Sequence, residues 1–137
     1  MKFLVIDDEM AALTKMKMLL SAYGDCTLAT NATQALQQCA KAIQQGTPYN
    51  LITIDIHLPE ISGLDLVAAI NKLETSHKVQ ASKKIIVTAS GTPDNLFQAK
   101  AKGCDSFIVK PVKRDTLADK MAMLGFKKIE TSARIPE

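Results

Sequence analysis

A chain of 137 residues is the size of one domain, and its 47% hydrophobic content is enough to bury a single core. The 17 basic and 14 acidic residues leave a net charge of +3, an excess too small and too scattered to mark a nucleic-acid-binding surface. No apolar run approaches the roughly 20 residues of a membrane helix, and the opening Met1-Lys2-Phe3-Leu4-Val5-Ile6 meets Asp7-Asp8-Glu9 too soon to be a secretory leader.

In chain order, Phe3-Leu4-Val5-Ile6 is the first predicted strand. A helix follows, with Leu13, Met16 and Leu20 on one face; its methionines read as core filler. Cys26-Thr27-Leu28-Ala29-Thr30 is a weaker strand, suited to a sheet edge. Asn31 opens a second helix whose apolar stripe reads Ala32, Leu36, Cys39, Ala40 and Ile43. Leu51-Ile52-Thr53-Ile54 is the third strand, and a helix-length segment separates it from the fourth, Ile85-Ile86-Val87. Asp94 starts a fourth helix, Phe107-Ile108-Val109 is the fifth strand, and Leu117, Met121 and Leu124 make the last helical stripe. Gly24, Gly46 and Gly103 fall where helices should end. The four strong strand runs are continuously apolar, not alternating, as expected of strands covered on both faces. Strand and helix alternate five times, which predicts an α/β fold with a parallel sheet, right-handed crossovers and helices on both faces.

The three cysteines (Cys26, Cys39 and Cys104) have no CxxC or Cys/His metal spacing and read as small hydrophobes in a reducing cytosol. His57 and His77 are too isolated for a zinc site.

Function in such sheets gathers at the carboxyl ends of the strands. Here the first strand runs into Asp7-Asp8-Glu9, the third into Asp55, the fourth into Thr88 and the fifth into Lys110-Pro111. Each residue has an ordinary explanation alone: a negative helix start, a turn, a β-former, a solvated loop. Those explanations do not account for three acids, a hydroxyl and a lysine sharing one edge. Asp7, Asp8 and Asp55 would repel one another unless a cation neutralised them, and an oxygen-lined pocket suits Mg²⁺ better than zinc. Asp55 could then attack phosphorus in line, with Lys110 and Thr88 holding the other phosphoryl oxygens.

With those residues in place, the sequence resembles the response-regulator receiver family over residues 1–124. The resemblance rests on Val5-Ile6-Asp7-Asp8-Glu9, Ile54-Asp55-Ile56-His57-Leu58-Pro59-Glu60-Ile61-Ser62-Gly63, Val87-Thr88-Ala89-Ser90 and Phe107-Ile108-Val109-Lys110-Pro111. It implies a flavodoxin-like doubly wound (βα)5 sandwich with strand order 2-1-3-4-5. It also implies that Asp55 accepts a phosphoryl group from a histidine kinase or histidine phosphotransfer protein, with Mg²⁺ (or Mn²⁺) as cofactor. Asp8 would ligate the metal directly, Asp7 would hold its water shell, and His57 would contribute its backbone carbonyl. Thr88 and Lys110 would be the switch hydroxyl and the phosphate-binding lysine, and the Lys110-Pro111 bond would be cis. Phe107 falls at the aromatic switch position and lacks a tyrosine's hydroxyl. His57 and Ser90, two residues beyond Asp55 and Thr88, stand where the family tunes dephosphorylation.

The expectation is therefore a cytoplasmic signalling switch, not an enzyme acting on other substrates. It would remodel the surface of its fourth helix, fifth strand and fifth helix and signal to a downstream protein, without direct contact with nucleic acid or membrane. Dimerisation on phosphorylation is left open. Residues 125–137 read as a tail or linker too short for a DNA-binding domain, which favours a stand-alone receiver over the amino-terminal piece of a DNA-binding or enzymatic regulator. A haloacid-dehalogenase-type phosphatase would need a second Asp where His57 stands. No GxxxxGK[ST] or GxGxxG follows any strand.

Overall fold

The structure is a computed structural model that describes residues 1–129. Strands and helices alternate in the order β1 (Lys2–Ile6), α1 (Met10–Leu20), β2 (Asp25–Ala29), α2 (Ala32–Gln44), β3 (Leu51–Asp55), α3 (Gly63–Ser76), β4 (Lys83–Thr88), α4 (Pro93–Ala101), β5 (Ser106–Val109) and α5 (Arg114–Met123). The five strands form one parallel sheet in the order β2-β1-β3-β4-β5. This is the doubly wound arrangement that the alternation and the resemblance imply. Among the described residues no helix is long and apolar enough to cross a membrane.

Two cores explain why the strand runs do not alternate. Leu4, Ile6, Ile52, Ile54 and Ile86 face α2, α3 and Ala99 of α4. Phe3, Val5, Leu51, Ile85, Val87 and Ile108 face the other way, onto Leu13, Met16 and Leu20 of α1 and Leu117 and Met121 of α5. Successive side chains leave opposite faces of a strand, so a sheet covered on both sides needs apolar residues at every position.

Several local readings shift. The buried face of α2 is Ala32, Ala35, Cys39 and Ala42, whereas Leu36 and Ile43 are only partly buried and Ala40 is exposed. Small side chains let this helix lie close to the sheet, so the stripe turns toward the alanines and away from the larger apolar residues. Helix α4 is capped by Thr92, whose Oγ1 accepts from Asn95 N–H at 3.1 Å, with Pro93 next; Asp94 sits inside the first turn, not at the cap. Asn31 does cap α2, its side chain accepting from Gln34 N–H at 2.8 Å. Gly46 and Gly103 end α2 and α4 with φ of 79° and 93°.

Beyond α5, Phe126 is only 8% exposed and packs edge-on against Phe3, ring centroids 5.7 Å apart. Ile129 N–H donates to Ala22 O at 2.7 Å. The packed chain thus continues past the boundary at residue 124 read from the sequence. Residues 130–137 of the expected tail lie outside the described residues.

Candidate functional site

Strand register brings the site together. Ile6 pairs with Ile54, so Asp7 stands level with Asp55; Asp55 pairs with Val87, one residue before Thr88; and Thr88 pairs with Val109, one before Lys110. Four side chains from distant parts of the chain therefore end up along one diagonal of the carboxyl edge. Asp7 extends the β1 ladder through its N–H to Ala29 O at 3.1 Å, which keeps it in register and 5% exposed. Its Oδ1 accepts from Glu9 N–H at 3.0 Å as the chain turns into α1. Asp8 is exposed.

Asp55 closes β3 with 6% exposure, and its Oδ1 accepts from His57 N–H at 3.2 Å. Carboxylate oxygens of Asp7, Asp8 and Asp55 all lie within 4.8 Å of one another. Lys110 Nζ reaches into this group, 2.8 Å from Asp7 Oδ2, 3.4 Å from Asp55 Oδ2 and 3.7 Å from Glu9 Oε1. The Lys110 N–H donates to Thr88 O at 2.8 Å, and the following Lys110–Pro111 peptide is cis. Thr88 is fully buried, with Oγ1 accepting from Ser90 N–H at 3.1 Å.

Burial pushes the Asp55 carboxyl above its ordinary range, against the pull of the His57 N–H and the Lys110 charge, while Asp7 adds repulsion. Burial also works against the Lys110 charge, but the hydrogen bond it donates to Asp7 and the combined carboxylate field outweigh it and raise this lysine. The lysine thus acts as the neutralising cation among the carboxylates. The three carboxylates offer only oxygen ligands, which fits a hard divalent ion such as Mg²⁺ or Mn²⁺.

The remaining predicted residues lie outside this cluster. His57 is exposed on the 56–62 loop, and Ser90 is half-buried on the loop after β4. Phe107 is half-buried and lines a groove between α4 and α5 with Leu96, Ala99 and Met123. Two supports were not legible in advance. Gly63 admits no side chain, because a Cβ there would run into the Asp55 carbonyl, and its N–H donates to Ile56 O at 2.7 Å. Gly63 was visible in the sequence as the end of a run that carries the resemblance; the contact was not. Glu60, at the tip of the same loop, binds Thr33 at the start of α2.

The fold and pocket define an α/β domain with three clustered aspartates, two of them bridged by a lysine, at the carboxyl edge of its sheet. Residues 3–122 match the response regulator receiver domain, and the chain belongs to that family, the receiver of two-component signalling. It is 30% identical over 119 residues to the chemotaxis protein CheY of Listeria monocytogenes, covering 87% of this chain and 93% of that one. It also matches the CAI-1 autoinducer sensor kinase/phosphatase CqsS of Vibrio cholerae, 28% identical over 88% of this chain, although it spans only 17% of that longer protein. Among solved structures, a CheY-like response regulator receiver domain protein from Methanospirillum hungatei superposes with a TM-score of 0.74 at 28% identity, covering 89% of this chain and 90% of the other.

Proposed function

We propose that this chain is a phosphorylation-driven switch whose acceptor is Asp55. The observation that carries the reading is the convergence of Asp7, Asp8 and Asp55 within 4.8 Å, with the Nζ of Lys110 paired to Asp7 and Asp55. Asp55 Oδ attacks phosphorus as the P–N bond of a phosphohistidine on a histidine kinase or phosphotransfer protein breaks, and the imidazole leaves. Asp8 and Asp55, with the His57 carbonyl, would hold Mg²⁺ or Mn²⁺, and Asp7 would hold its water. Bound there, the ion would offset carboxylate repulsion and help to neutralise phosphoryl charge. Lys110 moves from Asp7 to a phosphoryl oxygen, and the Thr88 hydroxyl donates to another.

In the switch, Thr88 turns toward the phosphoryl group and Phe107 fills the space it leaves, changing the α4–β5–α5 surface read by a downstream protein. His57 and Ser90 flank the approach to Asp55 and would set how fast water removes the phosphoryl group. Donors of this kind place the domain in the cytoplasm. Acetyl phosphate labelling followed by intact mass tests the reading. The wild-type chain should gain one phosphoryl mass with Mg²⁺, and Asp55→Asn or excess EDTA should abolish the gain; undiminished labelling in either case would refute it. Beryllofluoride with Mg²⁺ should shift amide resonances from Thr88 to Lys110, and an unchanged Phe107 would rule out the switch.

A further inference from the structure

The loop 56–62 carries the backbone carbonyl assigned to the cation, so what holds this loop still bears on cation binding. Its base is tied locally. Leu58 N–H and Gly63 N–H both donate to Ile56 O, at 3.2 and 2.7 Å, and His57 and Ser62 form an isolated antiparallel bridge. Its tip is held by something far away in sequence. Thr33 N–H donates to Glu60 Oε1 at 3.1 Å, and Thr33 Oγ1 donates to Glu60 Oε2 at 2.7 Å.

Both Glu60 oxygens are thus engaged by one residue in the first turn of α2, where free N–H groups and the helix dipole favour an anion. The two Thr33 bonds hold the Glu60 carboxyl below the ordinary carboxylate range. Both residues are exposed, and it is the sheet order that gives their pairing its place. Helix α2 follows β2, the 56–62 loop follows β3, and β1 lies between those strands. The Glu60–Thr33 pair therefore straps together the two junctions that flank β1, the strand that runs into Asp7 and Asp8. The junction after β2 also accepts the Asp7 N–H through Ala29 O, and it is braced by Gln34 Oε1, which accepts from Thr30 N–H at 2.9 Å.

The geometry points to Glu60 as a positioning residue that, through Thr33, sets the placement of the His57 carbonyl against the aspartate cluster and so the affinity for the divalent cation. This rests on the cation site proposed above. Glu60 is not a ligand in this scheme; it acts through the loop. Partners one shell out from a metal commonly change its affinity by about 10- to 100-fold, and one step further out the expected effect is about 3- to 10-fold.

Calorimetric titration of Mg²⁺ into the full chain tests this, alongside thermal melts and hydrogen exchange of the 56–62 amides. Glu60→Ala and Thr33→Val should each weaken Mg²⁺ binding about 3- to 10-fold and speed exchange in the loop, whereas Thr33→Ser, which keeps the hydroxyl, should stay within about twofold of wild type. Thr33→Val keeps the Glu60 charge. Weakening confined to Glu60 variants would reduce this residue to a charge near the cation and overturn the strap. Equal affinity in all variants, with the wild type binding Mg²⁺, would overturn it too. If Glu60→Ala melts below the titration temperature, Thr33→Val decides the matter. A wild type that binds no Mg²⁺ would overturn the cation site itself, and the strap with it.

Discussion

Lys84 and Glu74 form a salt bridge at the end of the sheet opposite the acidic cluster, and removing one partner should cost far more than removing both. Nζ and Oε1 are 2.6 Å apart, with side-chain exposures of 1% and 4%. Lys84 Nζ also donates to Ser82 O at 2.9 Å, and Glu74 Oε2 accepts from Ser82 N–H at 3.1 Å. Lys84→Met keeps the apolar stem but leaves the Glu74 carboxylate with one backbone donor. Breaking a buried pair this way typically costs about 3–5 kcal/mol. Lys84→Met/Glu74→Leu strands no charge and should lie within about 1–2 kcal/mol of wild type. Urea unfolding followed by circular dichroism at pH 7 measures the wild type and both variants; a 3 kcal/mol loss corresponds to roughly 10–15 °C in Tm for this size. A Lys84→Met protein within 1 kcal/mol of wild type, or a double variant as unstable as the single one, would refute the reasoning.

Gly63→Ala should destabilise the domain by about 2 kcal/mol and reduce Asp55 labelling, because the added methyl meets the Asp55 carbonyl and backbone cannot step aside as a side chain can. Paired melts and labelling check this, and normal values for both would show that the loop has slack. Burial pushes the Cys39 thiol up to about 12 and that of Cys26 up to about 11. At pH 8 native iodoacetamide alkylation of both should run at least about 50-fold slower than in urea; equal rates would contradict their burial. Thr92→Ala should cost about 1 kcal/mol through loss of the α4 cap, while Asp94→Ala should cost only a few tenths. The reverse order in chemical denaturation would restore Asp94 as the cap.

The strands were readable because a parallel sheet buried on both faces leaves an unbroken apolar run, and the aspartates, Thr88 and Lys110 were readable because each follows such a run directly. What escaped was set by contacts distant in sequence. Lys84 precedes Ile85 and resembles any solvated lysine beside Lys83, and only the return of α3 brings Glu74 onto it. The α2 stripe was misread toward Leu36 and Ile43 because hydrophobicity ranks them above alanine, whereas close helix–sheet packing selects Ala35 and Ala42. Thr92 and Asp94 are both good capping residues, and only the backbone turn at Pro93 distinguishes them. Glu60 and Thr33 stand 27 positions apart with no pattern linking them. Phe126 follows a glycine with φ of 90°, and neither periodicity nor flanking residues mark its return onto Phe3.

The central claim is that Asp55, and no other acid of the cluster, takes the phosphoryl group. An acyl phosphate is reduced by borohydride to the alcohol, so a phosphorylated aspartate becomes homoserine at a position that peptide mass spectrometry can assign. After acetyl phosphate and Mg²⁺, the account predicts homoserine at position 55 alone, with Asp7 and Asp8 unmodified. Homoserine at position 7 or 8, or its absence from position 55 in a chain that gained phosphoryl mass, would contradict it.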